Sequence, residues 1–196
     1  MSAPLSALLL TGGASRRMQA DKALLDYAGQ PQLLRAWALL RHIELVQAFV
    51  SLRPDQRSEM LRGSLPALAD SVDSVGPVAG ILSAQQAYPG HAWLVIACDL
   101  PLLDARTLRS LVSARQPGKD ATVFVSRHDG LPEPLCAIWE PSSAPLLRQR
   151  FEAHHFCPRE ALLQLQIHAL PSPGNALDNV NTPGELLQAR QQLEPN

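Results

Sequence analysis

Residues 6–26 carry the residue types best suited to binding a polyphosphate. A short apolar run there is followed by glycines and then by charged side chains, in the order Thr11, Gly12, Gly13, Arg16, Arg17, Asp21 and Lys22. A backbone without side chains can bend sharply or let a ligand approach closely. Its N–H groups can bind phosphate oxygens, and the cations behind them can neutralise the phosphate charge. We therefore expect a phosphate to bind here; the alternative is a tight strand-to-helix turn with solvated arginines.

The two best-known phosphate loops do not explain this turn. The P-loop requires a glycine, four residues and then Gly-Lys-Ser/Thr, and the sequence contains no such string. The dinucleotide-binding fingerprint requires three glycines at fixed spacing, whereas this segment has only the adjacent pair. The turn therefore belongs to a third kind of phosphate loop.

Asp99 is the second residue whose position indicates chemistry. It directly follows the most hydrophobic predicted strand, residues 93–97, and precedes Leu-Pro. Mg²⁺ prefers one or two carboxylates together with the phosphates of a substrate. An aspartate here could instead cap the following helix or form a turn. Because a phosphate loop is expected nearby, we favour Asp99 as a Mg²⁺ ligand.

The predicted elements bring these distant residues together. Apolar runs predict strands at residues 7–10, 46–52, 65–69 and 93–97, interspersed with predicted helices at residues 31–42, 54–62, 78–88 and 104–114. This alternation is typical of βαβ units with a mainly parallel sheet, to which residues 121–140 add an antiparallel piece. Residues 166–170 and 183–193 give a last strand and a closing helix. Ligands of open α/β sheets bind at the carboxyl ends of the strands, so the glycine turn, Asp70 and Asp99 should converge.

Composition limits the class of protein. The chain has 196 residues, 46% hydrophobic and 18% charged, with a net charge of −1, which fits one ordinary globular domain and disfavours nucleic-acid partners. No apolar stretch approaches membrane-spanning length, and the N-terminus does not resemble a signal peptide. Three cysteines without a CxxC pair argue for a reducing cytoplasm, and Cys98 and Cys136 lie in apolar runs that predict packing. The six histidines show no metal-ligand spacing.

The string LTGGASRRMQADKALL resembles the loop of MobA-like nucleotidyltransferases, which typically runs Leu-Ala-Gly-Gly-x-Ser-x-Arg-Met-Gly-x-Asp-Lys. The sequence departs from that pattern at Thr11, where alanine is usual, and at Gln19, where glycine is usual. A glycine there can serve a positive φ, which glutamine adopts only at a cost.

Four more segments resemble the same family in the same order: GPVAGI at 76–81, CDLPLL at 98–103, EPLCAIW at 133–139 and NVNTPGEL at 179–186. On these motifs the chain is identified as a member of the molybdenum cofactor guanylyltransferases. The resemblance implies a Rossmann-like three-layer α/β/α nucleotidyltransferase fold with a mixed, mainly parallel sheet. It also implies one domain, 1–196, with the nucleotide side at about 1–115 and the acceptor side at about 116–193.

The resemblance assigns roles residue by residue. It implies nucleotide contacts from Leu10, Thr11, Gly12, Gly13, Lys22, Asp70, Gly76, Gly80 and Asp99. Catalytic roles fall to Lys22, to Asp99 as the Mg²⁺ ligand and to Arg17 as a phosphate stabiliser, whereas Arg16 is expected on the surface. Asn179 and Asn181 would face the pterin, although asparagine in such a loop is most often a turn former. Ser51 stands where the family often has an asparagine contact.

The implied reaction is transfer of GMP from GTP to molybdopterin, giving the guanine dinucleotide and pyrophosphate. A phosphate monoester is already ionised near neutral pH, so catalysis needs positioning and electrostatics rather than a strong base. One alternative is a cytidylyltransferase of the same cofactor pathway, although Leu-Thr-Gly-Gly, in place of Ala-Ala-Gly, favours GTP. The other is a non-catalytic nucleotide-binding or cofactor-binding relative. The implied partners are GTP, molybdopterin, and proteins that deliver the cofactor or use the product.

Overall fold

A computed structural model of the chain describes residues 2–11, 21–53, 56, 59–70 and 76–193. Its strands are β1 (Leu5–Leu10), β2 (Asp26–Tyr27), β3 (Gln30–Pro31), β4 (Ala48–Leu52), β5 (Ala67–Ala69), β6 (Ala92–Ala97), β7 (Ala121–Val125), β8 (Pro132–Trp139) and β9 (Ile167–Leu170). All but β2 and β3 form one seven-stranded sheet in the order β5-β4-β1-β6-β8-β7-β9. β2 and β3 pair as a short hairpin of their own.

The sheet is mixed and mainly parallel. Neighbours β5, β4, β1 and β6 are parallel to one another, and β7 is parallel to β9. Only β8 is reversed, because it pairs antiparallel with both β6 and β7. The central strands β1 and β6 are buried along their whole length, as expected of strands covered on both faces.

The helices are α1 (Gln32–Leu39), α2 (Met60–Gly63), α3 (Pro77–Ala87), α4 (Ala105–Ser113), α5 (Ala144–Glu152), α6 (Pro158–Leu162) and α7 (Pro183–Leu193). Two buried apolar clusters lie on opposite faces of the sheet. One contains residues of α1 and α4 packed on Ala7 and Leu9, and the other contains residues of α3, α5 and α6 packed on Leu8 and Leu10. The alternation of side chains along β1 therefore produces three layers, and the predicted α/β/α fold is confirmed.

Some predicted elements differ in extent. The second strand begins at Ala48 rather than residue 46, and α1 ends at Leu39 before a short 3₁₀ turn. The helix predicted over 54–62 with a polar exterior was wrong in its described part, where α2 covers only Met60–Gly63 and Arg62 is fully buried. A helix this short presents no periodic face, so its burial depends on what the rest of the chain places around it.

Within the ranges given above, no helix combines the length and the apolar character needed to cross a bilayer.

Candidate functional site

The predicted site residues follow the carboxyl ends of neighbouring strands. Leu10, the last residue of β1, is in register with Ser51 of β4 and with Ala97 of β6. The Cys98 N–H donates to the Leu10 carbonyl at 3.0 Å, so the segments that follow β1 and β6 leave the sheet side by side. Thr11, Ser51 and Asp99 are thus placed along one edge, as the prediction of convergence requires.

Lys22 lies beside Asp99 at one end of this edge. Its Nζ donates to Asp99 Oδ2 at 3.1 Å and to Asn181 Oδ1 at 2.6 Å, across separations of 77 and 159 residues. The side chains of Lys22 and Asp99 are 20% and 22% exposed, so a ligand can still reach both. The structure thus brings together a cation, a carboxylate and an amide that were predicted as site residues from three separate motifs.

Two local structures hold this group in place. Asp21 Oδ1 accepts from the Ala23 N–H at 3.0 Å and starts the 3₁₀ turn that contains Lys22. On the other side, the Glu185 carboxylate accepts from the N–H groups of Asn181 and Thr182, while the Glu185 N–H donates to the Thr182 hydroxyl. This is a capping box at the start of α7, which fixes the backbone beside Asn181.

The Asp99 carboxylate suits a divalent cation. Oδ2 accepts from Lys22, but Oδ1 is buried and has no hydrogen-bond partner among the described residues. Buried carboxylate oxygens are seldom left unpaired, so Oδ1 is a natural ligand atom. A search of the described residues finds no cluster of three or more His, Cys, Asp or Glu that could form a full metal cage. A single carboxylate matches Mg²⁺ held together with substrate phosphates.

A second group, formed by Ser51, Asp70 and Gly80, lies at the other end of the edge. Ser51 Oγ donates to Asp70 Oδ1 at 2.7 Å, and Thr11 Oγ1 donates to the Ser51 carbonyl at 2.7 Å. A Cβ on Gly80 would lie 2.7 Å from both Ser51 Oγ and Leu10 Cδ2, so this close approach requires glycine. Burial raises the pKa of Asp70 above its ordinary value, despite the Ser51 hydrogen bond and the nearby Arg53 charge.

Gly76 has a different reason to be glycine. It precedes Pro77, the first residue of α3, and has a φ of 117°, which side chains rarely adopt. Gly76 thereby directs the chain into the helix that carries Gly80.

A cavity of about 500 Å³ is lined in part by Asn179 and by Asn181, the residue that accepts from Lys22. Its volume lies within the range of small-molecule sites. Its wall includes the Arg127–Asp178 ion pair and the pairs that Arg159 makes with Asp129 and Glu133. Asn179 lines the cavity but makes no contact with Lys22 among the described hydrogen bonds.

Sequence analysis missed one buried residue at the edge, Arg62. Its guanidinium bonds Thr11 and Asp21, the two described residues that flank the glycine motif. No pattern around Arg62 indicates burial. The capping box, by contrast, can be seen in the sequence as Thr182-x-x-Glu185. The predictions for Gly12, Gly13, Arg16, Arg17 and Gln19 lie outside the described residues.

Comparison with known proteins agrees with this geometry. The family model for the MobA-like NTP transferase domain matches residues 7–166. A molybdenum cofactor biosynthesis bifunctional protein of Synechocystis sp. is 39% identical over 183 residues, covering 92% of this chain but only 52% of that protein. The chain therefore spans about half the length of this relative.

Two further proteins match along nearly their whole length. A molybdenum cofactor guanylyltransferase of Pseudomonas aeruginosa is 32% identical over 197 residues, covering 97% of this chain and 96% of that protein. The crystal structure of molybdopterin-guanine dinucleotide biosynthesis protein A from Archaeoglobus fulgidus superposes with a TM-score of 0.78 at 24% identity, covering 95% of this chain and 97% of that one, and shows the shared fold. The chain therefore belongs to the MobA-like NTP transferase family, the nucleotidyltransferases that the motif between Leu10 and Lys22 predicted.

Proposed function

We propose that this protein transfers GMP from GTP to molybdopterin, forming the guanine dinucleotide and pyrophosphate. The observation that carries the proposal is the contact of Lys22 with both Asp99 and Asn181. These contacts join the carboxyl edge of the sheet, where a triphosphate is expected, to the cavity beside α7. The name of the Pseudomonas aeruginosa relative, molybdenum cofactor guanylyltransferase, supplies the substrates.

The strand order supports one orientation for the nucleotide. Asp70, Ser51, Thr11 and Asp99 lie at the carboxyl ends of β5, β4, β1 and β6, which are consecutive in the sheet. At about 4.8 Å per strand, the two aspartates are separated by roughly 14 Å along the edge. The triphosphate would lie at the Lys22 and Asp99 end. The base would lie toward Asp70, whose carboxylate can accept hydrogen bonds from the adjacent N–H donors of guanine.

Each residue at the reacting end has a definable task. Lys22 would neutralise triphosphate oxygens while Asn181 orients the incoming acceptor. Asp99 would hold a divalent cation, for which we propose Mg²⁺, whose charge offsets the charge developing on the leaving pyrophosphate. A phosphate oxygen of molybdopterin would form the new bond to the α-phosphorus of GTP. The bond from that phosphorus to the bridging oxygen would break, and pyrophosphate would leave with the electron pair.

This reaction does not require a general base to activate the acceptor. A phosphate monoester has its second pKa near 6, so the acceptor is already a dianion for most of the time at neutral pH. The protein then needs to position two anions in line and to screen their repulsion. Lys22 and the bound cation would provide positive charge for that purpose, whereas the cavity arginines, Arg127 and Arg159, are already paired with carboxylates.

The test is incubation of the purified protein with molybdopterin, Mg²⁺ and either GTP or CTP. We expect guanine dinucleotide and an equal amount of pyrophosphate with GTP, and much slower turnover with CTP. Faster turnover with CTP would instead assign a cytidylyltransferase. Nucleotide binding without pyrophosphate release, under conditions where a known guanylyltransferase is active, would indicate a non-catalytic relative.

A further inference from the structure

Arg62 is a charged residue with no exposed surface, located beside the candidate nucleotide site. Its Nη2 donates to the Thr11 carbonyl at 3.0 Å and to Asp21 Oδ1 at 2.8 Å. Its Nε donates to the Thr11 hydroxyl at 3.2 Å, and its Nη1 donates to Glu59 Oε2 at 3.2 Å. One side chain from α2 therefore connects the residue after β1 to the residue before Lys22.

A buried guanidinium contributes little to stability compared with an apolar side chain of similar volume. Taking a charge out of water costs several kcal/mol, and well-packed apolar residues often stabilise a core as well as a buried ion pair does. Two carboxylates, Asp21 and Glu59, compensate the Arg62 charge. Burial acts to raise the pKa of Glu59, but backbone N–H groups of Leu61 and Arg62, with the guanidinium, hold that pKa below its ordinary value. We therefore interpret this ion network as holding Asp21 at a fixed position relative to Thr11.

The geometry that it fixes leads directly to Lys22. Asp21 Oδ1 accepts both from Arg62 Nη2 and from the Ala23 N–H, which closes the turn around Lys22. Arg62 therefore determines where that turn sits relative to the end of β1. The backbone of Asn181 is held separately by Glu185, so the position of this loop on the acceptor side is fixed without Arg62.

We propose that Arg62 is a positioning residue that fixes Asp21 against Thr11 and so places the Lys22 ammonium for the triphosphate. This inference rests on the proposed function for the identity of the ligand. It predicts a specific kinetic signature. Loss of the Arg62 fork should weaken GTP binding and raise the KM for GTP, while leaving the KM for molybdopterin unchanged.

Three variants separate positioning from general stability. Arg62→Lys keeps the charge but replaces the planar fork by a single nitrogen, which cannot reproduce the four contacts made by Nε, Nη1 and Nη2. Asp21→Asn keeps an oxygen for the Ala23 N–H but loses the charge that faces Arg62. Arg115→Lys is the matched control, because Arg115 also bonds a buried carboxylate, Glu140, and a backbone carbonyl, that of Ala3. Those partners lie before β1 and after β8, at the opposite end of the sheet from Thr11.

GTP binding in the presence of Mg²⁺ is measured first, by calorimetry, for all variants. Because hydrogen bonds to charged groups are worth about 1.5–3 kcal/mol, we expect Arg62→Lys and Asp21→Asn each to raise the Kd about tenfold or more. The Kd of the double variant should be no higher than that of whichever single variant binds GTP more weakly, because both changes weaken the same Arg62–Asp21 ion pair. Arg115→Lys should bind GTP like the wild type, even where its unfolding midpoint falls.

Several outcomes would overturn the inference. These are a Kd for Arg62→Lys within twofold of the wild-type value, an equal loss of affinity in Arg115→Lys, or additive effects of the Arg62 and Asp21 changes. A wild type that binds neither GTP nor CTP would contradict the proposed function instead. Amide hydrogen exchange of the nucleotide-free protein then decides the inference. Faster exchange at Ala23 in Arg62→Lys, but not in Arg115→Lys, supports it, and unchanged exchange rejects it.

Discussion

Asp99 has two oxygens in different electrostatic situations. Oδ2 faces the Lys22 ammonium, whereas Oδ1 is buried without a hydrogen-bond partner in the described part of the chain. Such an oxygen is costly in the free protein and becomes useful once a cation arrives. The carboxylate can therefore serve the cation and the lysine at once, which keeps positive charge on both sides of the expected phosphates.

We expect Asp99→Asn to lower turnover about 10²–10³-fold, the usual cost of removing one electrostatic contributor to a transition state. The amide preserves the shape of the side chain and an oxygen for Lys22, so the protein should stay folded. Pyrophosphate release measured across a Mg²⁺ titration checks this. Asp104→Asn is the control, because Asp104 only caps α4 through the Thr107 N–H. Turnover close to wild type in Asp99→Asn would show that Asp99 is not the ligand of the cation.

Asp70 is expected to lower stability while it serves binding. Burial raises its pKa above the unfolded value, so the folded state holds the proton more tightly than the unfolded chain does. The ionised carboxylate therefore lowers the free energy of unfolding at neutral pH. This penalty disappears as the pH falls through the raised pKa toward the ordinary aspartate value.

Asp70→Asn should consequently raise the free energy of unfolding at pH 7 and weaken GTP binding at the same time. An asparagine oxygen can still accept from Ser51, so the local structure should survive. Urea unfolding from pH 7 down to pH 3 should show the stability gain shrinking as the solution becomes more acidic. A stability gain that persists below the ordinary aspartate pKa would show that the charge is not its cause.

At the scale of elements, Gly80 allows α3 to pack closely against the end of β4. Gly80 faces Ser51 and Leu10, and no side chain fits between them. The helix thereby packs against Ser51, whose hydroxyl donates to Asp70. The same helix begins directly after Gly76, so a single element explains two glycines that the sequence motif contains.

Gly80→Ala should lower the free energy of unfolding by about 1–3 kcal/mol through overpacking, although alanine improves helix propensity by up to about 1 kcal/mol. It should also weaken GTP binding, because the shift falls on Ser51. Urea unfolding and calorimetry measure the two effects. Gly90→Ala is the matched control, because a Cβ there would have nothing within 4 Å. Equal behaviour of the two variants would mean that the Gly80 contact is unimportant.

At the scale of the molecule, the three cysteines differ in their exposure to solvent. Cys98 and Cys136 are buried and Cys157 is exposed, and all three are free thiols. Burial raises the pKa of Cys136 to about 12 and that of Cys98 well above its ordinary value. The sequence prediction that Cys98 and Cys136 pack in the core is confirmed.

A thiol reagent at pH 8 should therefore modify one cysteine of the native protein quickly and all three after denaturation, because only a thiolate reacts. Mass spectrometry of the labelled peptides should identify Cys157 as the fast site. Cys157→Ser is the control and should leave the native protein without a fast-reacting thiol. Rapid modification of Cys98 in the native state would show that the edge of the sheet opens.

The sequence predicted the scaffold better than the contacts across it. Strands such as β1 and β6 are visible because burial on both faces gives unbroken apolar runs. Convergence of Asp70 and Asp99 followed from a general property of parallel sheets. The burial of Arg62 was not predictable, since it depends on contacts with the distant residues Thr11 and Asp21 as well as on its neighbour Glu59. The bond from Lys22 to Asn181 was equally hidden, because no local pattern records which loops meet.

The span of that bond sets the order in which a growing chain can complete its chemistry. Synthesis runs from the amino terminus, so Asp99 leaves the ribosome long before Asn181, which lies 159 residues beyond Lys22. In the interval the lysine has its carboxylate partner but lacks its amide partner and the wall that α7 contributes to the cavity. Under the proposed function, we therefore expect the nucleotide side to be complete first, and the acceptor to bind only after α7 has emerged.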